Sequence, residues 1–270
     1  MQAAEHIYIH IPFCRRVCPY CAFYKHTPGA AHMRGFVQAL VAESQLRLPL
    51  AAAPQTLYFG GGTPSMLSPT HLQLLIDGLQ QRLDFSQLRE WTLEANPATF
   101  TASKVGHWRK LGITRVSLGA QSFLESELLF LGRDHSPADI ARSVHLLREE
   151  GGMQVNIDLM FCLPNQSAAA WKHSLEQALA CRPDHISTYS LTLEPGTPFA
   201  TLTAPEEETQ VQLYSLAHDL LTSAGFRHYE VSNYARSASA RSLHNLSCWR
   251  GGGLYRPRSR RLRHRTRRPL

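Results

Sequence analysis

Cys14, Cys18 and Cys21 fall within eight residues of one another at CxxxCxxC spacing, directly after the short apolar run His6-Ile7-Tyr8-Ile9-His10-Ile11. Thiolates so spaced can wrap three corners of a cubic [4Fe–4S] cluster. Such clusters usually take four cysteines, but the position two after Cys21 is Phe23. Three ligands leave one iron open to a substrate or cofactor. A zinc site is the competing chemistry, although zinc prefers CxxC pairs and a complete set of four ligands. A disulfide framework is weaker still, because three clustered cysteines cannot all pair.

Other chemistry-bearing residues sit at the ends of short apolar runs. Gly60-Gly61-Gly62-Thr63-Pro64 follows Thr56-Leu57-Tyr58-Phe59. Glycines there let backbone groups approach a ligand, whereas a tight turn is the plainer alternative. No Gly-Lys-Ser/Thr follows, which excludes a phosphate-cradling loop. Glu94 stands in Leu-Glu-Ala-Asn-Pro, Gln121 in Leu-Gly-Ala-Gln-Ser-Phe, Arg133 in Leu-Gly-Arg-Asp-His and Asp158 in Asn-Ile-Asp-Leu-Met. Singly, each could be a solvated polar residue. A carboxylate inside an apolar strand, however, is costly unless it meets polar surroundings, so Glu94 and Asp158 are expected to face a polar cavity mouth.

The elements that must carry these residues alternate regularly. Strands are expected at 6–11, 56–59, 90–95, 113–118, 155–159 and 185–190. Helices are expected at 32–48, from Ser68-Pro69 onward, from a Thr101 cap to Gly112, at 124–131, at 137–150 and at 168–180. Six strands alternating with helices imply right-handed βαβ units and a parallel α/β sheet. The polar and glycine residues cluster where strands end, as in α/β barrels. Beyond 205 the pattern changes to one long helix at 206–224, a strand at 226–231 and a serine- and alanine-rich, linker-like stretch at 237–242.

Taken together, Tyr8 to Cys14, Gly60 to Pro64, Leu93 to Pro97, Leu118 to Phe123, Asn156 to Pro164 and the Glu194-Pro195 turn resemble the oxygen-independent coproporphyrinogen III oxidase-like radical S-adenosylmethionine (SAM) proteins, over residues 5 to about 252. The resemblance implies a partial (β/α)6 barrel over 1–205, followed at 206–253 by the start of the family's C-terminal region. It implies that Cys14, Cys18 and Cys21 ligate a [4Fe–4S] cluster and that Tyr8, Gly61, Gly62, Thr63, Glu94, Gln121, Arg133 and Asp158 contact SAM. Phe23 replaces the last cysteine of the oxidases' CxxxCxxCxC motif, as in the heme-chaperone members. His244-Asn245-Leu246-Ser247-Cys248-Trp249 is similar to their heme-binding HNxxYW segment, with Cys248 in place of Tyr. His244, Asn245 and Trp249 are thereby implied as heme contacts, His being a natural axial ligand. The implied activity is binding heme and delivering it to acceptor hemoproteins, respiratory enzymes among them. The alternatives are oxidative decarboxylation of coproporphyrinogen III and an inactive truncated product. Cys162, where the family usually has Gly, and Cys181 read as small buried or half-buried residues.

The bulk properties agree with that reading. Residues 254–270 hold eight arginines and no acid, and without them the chain has 20 basic against 21 acidic side chains. The net charge of +7 therefore belongs to the last seventeen residues, and the body carries no nucleic-acid footprint. No run approaches the ~18–20 apolar residues of a membrane span, and neither a signal nor a transit peptide is evident. Cysteines without a regular framework fit a reducing, cytoplasmic setting. The match stops after Gly252, where the family continues Asp-Tyr-x-Gly-x-Gly-Pro-Gly-Ala. One codon choice for Gly253 to Arg261, GGA CTA TAC CGG CCT CGG TCC CGG CGC, gives Asp-Tyr-Thr-Gly-Leu-Gly-Pro-Gly-Ala when read one base later. Residues 254–270 are therefore expected to be an out-of-frame, disordered tail truncating the C-terminal extension; the alternative is a genuine arginine-rich tail for RNA or acidic membranes. Sequencing the coding DNA around codon 252 is expected to find the shifted frame continuing as family-like sequence, and a frame that does not continue so removes the idea.

Overall fold

A computed structural model of the chain describes residues 5–48, 52–251 and 254–255. Six strands, β1 (His6–Ile11), β2 (Thr56–Gly61), β3 (Glu90–Ala95), β4 (Arg115–Gln121), β5 (Gln154–Phe161) and β6 (His185–Ser190), lie side by side in chain order and pair in parallel. Helices α1 (Ala30–Arg47), α2 (Pro69–Gln80), α3 (Ala102–Leu111), α4 (Glu125–Phe130), α5 (Pro137–Glu149) and α6 (Ala168–Ala180) make the crossovers. After α7 (Glu207–Ser223), β7 (Arg227–Glu230) and β8 (Asn233–Ala235) turn back. β8 pairs antiparallel with β6, and β7 with β8. A short α8 (Leu243–Trp249) follows, and β9 (Leu254–Tyr255) pairs parallel with His6–Ile7 of β1. Among the described residues the sheet is open, with β7 and β9 at its edges. The fold is the expected α/β class with a mostly parallel sheet.

Side-chain alternation divides this sheet into two unlike faces. Ile7, Ile9 and Ile11 of β1, Val116, Leu118 and Ala120 of β4, and Val155, Ile157, Leu159 and Phe161 of β5 are buried in one core with the apolar residues of the crossover helices. The intervening residues turn to the concave face and are polar: Thr92 and Glu94, Arg115 and Ser117, Asn156 and Asp158, His185 and Ser187. The helices carry their own start signals. Ser68, Thr101, Ser136, Ser167 and Ser242 each accept a backbone N–H at a helix N-terminus, and Ser136 with Asp139 forms a reciprocal box. Gly112 closes α3 at φ 94°, as expected.

Three sequence expectations change. No element was expected where β8 and α8 form, on either side of the linker-like 237–242, because their partners β6 and β2 are remote in sequence. Residues 206–249 add to the same sheet: α7 packs on α6, and Trp171 stacks on Phe161 and donates from its indole N–H to the Leu213 carbonyl at 2.9 Å. The first two residues of the expected disordered tail extend the sheet as β9, whereas 256–270 lie outside the described residues. Cys162 and Cys181 are buried and half-buried, as expected. Cys162 has φ 60°, a backbone form that glycine takes without strain.

Trp171→Ala is expected to lower the unfolding free energy by about 3–5 kcal/mol, read as a fall in the urea midpoint at unchanged slope. A loss under about 1 kcal/mol would mean that α7 is not anchored through this ring.

Candidate functional site

The loop between β1 and α1 places the three cysteines over the C-terminal ends of the strands. It is closed by two backbone bonds, Cys14 N–H to the His26 carbonyl at 3.0 Å and His26 N–H to the Pro12 carbonyl at 2.8 Å. Its base rests on the glycine segment. Gly62 N–H donates to the Ile11 carbonyl at 2.8 Å and Thr63 N–H to that of Phe13 at 2.7 Å. A Cβ on Gly62 would stand 2.8 Å from the Phe13 carbonyl oxygen, and one on Gly61, whose φ is 112°, 2.4 Å from the His10 ring. These glycines therefore seat the cysteine loop against β2.

In front of the loop lies a cavity of about 490 Å3. Cys14, Cys18, Cys21, Gly61, Gly62, Thr63, Glu94, Gln121, Arg133, Asp158 and Asn245, all candidates from the sequence, line it. Thr63 Oγ1 donates to Cys14 Sγ at 3.7 Å and accepts from Asn96 Nδ2 at 3.0 Å. The Arg133 guanidinium reaches across: Nη1 lies 3.7 Å from Cys18 Sγ, and Nη2 donates to Asn96 Oδ1 and the Gly119 carbonyl, each at 2.6 Å. Gln121 enters from the end of β4 at φ 72°, where the register with β5 shifts.

Two carboxylates of this wall, Glu94 and Asp158, are strongly desolvated. Glu94 accepts from the Tyr58 hydroxyl at 2.8 Å and the Gly61 N–H at 2.9 Å. Loss of solvent nonetheless pushes its pKa up to about 7. Asp158 accepts from Ser117 at 2.9 Å and Asn156 at 2.7 Å, and desolvation raises it as well.

Three candidates stand elsewhere. Tyr8 sits behind Tyr58, its ring stacked at 5.7 Å and its hydroxyl 3.3 Å from His10 Nδ1. His244 is turned inward at 4% exposure, its ring stacked 4.7 Å from Tyr58, its Nδ1 3.1 Å from Thr56 Oγ1 and its backbone N–H donating to Glu90 Oε1 at 3.1 Å. Glu90 also accepts from the Leu243 N–H and the Ser242 hydroxyl, so one carboxylate holds the start of α8 against the sheet. This packing holds the His244 ring inside, against β2. Trp249 is 63% exposed, on the far end of α8. The sequence reading also missed Tyr58, Thr92, Asn96, Arg115, Ser117, Asn156, His185 and Ser187. The period-two alternation with Glu94 or Asp158 was the signal for Thr92 and Asn156. A larger open groove of about 1130 Å3 between α5 and α6 contains none of the candidates.

Residues 8–178 match the model of the radical SAM superfamily. The chain belongs to the radical SAM superfamily. Membership implies a [4Fe–4S] cluster and SAM. Three thiols opening on one cavity, with hydroxyl, amide and guanidinium groups around them, suit such a cluster as a donor set. Among the described residues no three or more His, Cys, Asp or Glu side chains are gathered as a site for a metal ion. The chain is similar to the heme chaperone HemW of Escherichia coli (strain K12), with 38% identity over 251 residues, covering 91% of this chain and 66% of the relative. It is similar also to radical S-adenosyl methionine domain-containing protein 1, mitochondrial, of Bos taurus, at 37% identity, covering 91% and 57%. Among solved structures, coproporphyrinogen III oxidase (HemN) from Escherichia coli, a radical SAM enzyme, superposes with a TM-score of 0.80 at 25% identity, over 91% of this chain and 58% of that one. The chain thus spans less than two thirds of the length of these proteins.

Glu94 makes stability pH-dependent. Its folded pKa of about 7 exceeds the usual carboxylate value, so the folded state binds the extra proton. The benefit is complete below about pH 4.5 and is lost as pH rises through 7. Relative to Glu94→Gln, the wild-type chain is expected to lose up to about 3 kcal/mol between pH 4.5 and 7.5 in chemical denaturation. Parallel curves would place Glu94 in solvent.

Proposed function

We propose that this chain holds a [4Fe–4S] cluster through Cys14, Cys18 and Cys21, binds SAM beside it, and serves as a heme chaperone that binds heme and passes it to acceptor hemoproteins in the cytoplasm. The carrying observation is the single cavity onto which the three thiols, Gly61–Thr63, Glu94, Gln121, Arg133 and Asp158 all open. Phe23, at the same mouth and 71% exposed, stands where the oxidases of the family carry a further cysteine. The similarity to HemW supports the chaperone reading over coproporphyrinogen III oxidation. Among the described residues no helix is long and apolar enough to cross a membrane.

When bound, the cluster supplies redox chemistry and an open iron to which SAM can attach. The protein's own groups prepare the place. Thr63 and Arg133 direct donors at the Cys14 and Cys18 sulfurs, the atoms that would ligate iron. Glu94, titrating near neutrality while fixed by Tyr58 and the Gly61 N–H, can accept from a cationic amine. Heme, as cargo, would meet His244 only once α8 leaves β2, because the ring is packed on Tyr58 and Thr56. Asn245, already at the cavity wall, and exposed Trp249 flank it.

After anaerobic reconstitution, Cys14→Ser is expected to lose the broad visible absorbance of the cluster. Heme titration is expected to shift the Soret band of the wild type but not of His244→Ala. Incubation with coproporphyrinogen III, SAM and a reductant should yield no protoporphyrinogen; turnover would favour the oxidase reading, and an unchanged titration in His244→Ala would remove the heme ligand.

A further inference from the structure

Arg115 begins β4 on the cavity side, at the end opposite the cysteines. It is 2% exposed. At about 3.3 Å per residue, it lies roughly 20 Å along the strand from Gln121. Its hydrogen bonds all leave from Nη1, to the Ala240 carbonyl at 2.9 Å and Gln154 Oε1 at 3.3 Å. Among the described residues Nε and Nη2 have no acceptor. Unlike the Arg133 Nε, they are not among the enclosed, unpartnered atoms, so they open onto the cavity.

No carboxylate of the described residues lies within the 4.0 Å of an ion pair with this guanidinium. The two nearby acids are engaged elsewhere. Glu90 accepts from Thr92, Ser242, Leu243 and His244, and Asp158 from Ser117 and Asn156. Both still contribute negative potential to the floor. His185, beside them, donates from Nδ1 to Asn156 Oδ1 at 2.6 Å and accepts at Nε2 from the Tyr229 hydroxyl at 2.7 Å. Burial, and after it the Arg115 charge, pushes its pKa well below the ordinary imidazole value and keeps it neutral. A buried cation without a paired anion is costly, and the edge left open, Nε with Nη2, is the fork that meets a carboxylate with two parallel hydrogen bonds. A single cation with two acids nearby suits a monoanion rather than a phosphate.

We propose that the floor of the cavity is a second binding subsite, distinct from the SAM end, in which Arg115 takes the carboxylate of a small organic acid. Asn245 lines the same cavity, and its side-chain amide can add a further donor. The proposal stands apart from heme: a carboxylate site at Arg115 needs neither His244 nor an iron.

Carbonyl-labelled 13C-propionate, titrated into the cluster-reconstituted chain and followed by line broadening, tests this. Chloride at equal ionic strength and methyl propionate serve as controls. The expected result is saturable broadening of propionate only, unchanged by SAM, and weakened at least about tenfold in Arg115→Lys, which keeps the charge but loses the fork. Arg115→Gln should abolish it. If Arg115→Gln loses its far-ultraviolet circular dichroism, Arg115→Lys decides alone. Absence of saturation, equal binding by Arg115→Lys, or displacement by SAM would each overturn the proposal, the last by making the subsite part of SAM's own.

Discussion

The backbone of Gly62 lies so close to Pro12 and Phe13 that a methyl group there would sit 2.8 Å from main-chain atoms. The rest of the site depends on that contact. It fixes the base of the cysteine loop on the end of β2, and with it the height of Cys14 above Thr63. One residue earlier, Gly61 offers its N–H to Glu94, so the same segment orients a carboxylate on β3. Backbone atoms cannot be repacked as side chains can, which makes this a rigid reference for everything around it.

From that reference the concave face runs as a polar strip. Parallel pairing in register stacks equivalent residues of neighbouring strands, so Glu94 pairs with Ser117 and Asp158 with Gly119 on one side and Ser187 on the other. The cavity therefore holds cations at both ends, Arg133 near the thiols and Arg115 at the floor, with Glu94 and Asp158 between. Desolvation drives both acids toward their protonated forms, which lowers the negative charge that the interior must carry. The C-terminal stretch completes this interior: Ala240 accepts from Arg115, Glu90 pins the start of α8, and Asn245 reaches the cavity wall. The histidine segment and the cluster cavity are thus parts of one packed unit.

Much of this was legible in the order of residues. The strand and helix alternation, the Thr101 and Ser136 caps, and the Gly112 stop are local effects of propensity and capping, which a sequence carries explicitly. The cysteine triplet and the strand-end acids were legible for the same reason, since a charge in an apolar run is anomalous wherever it occurs. Arg115 was not. It is one arginine among many, and only its remote neighbours, Gln154, Ala240 and the unpaired cavity space, give it meaning.

Sequence by itself determined the class of fold and the family, because periodicity, spacing and strand-end chemistry are encoded over short stretches. Tertiary structure alone decided three things. It put the glycines to work against the cysteine loop, turned His244 inward onto Tyr58 and Thr56, and left the Arg115 fork open at the cavity floor. Each depends on contacts between residues dozens to nearly two hundred positions apart, and on which face of the sheet a side chain meets. Those relations are set by packing and register, which no local pattern of residues specifies.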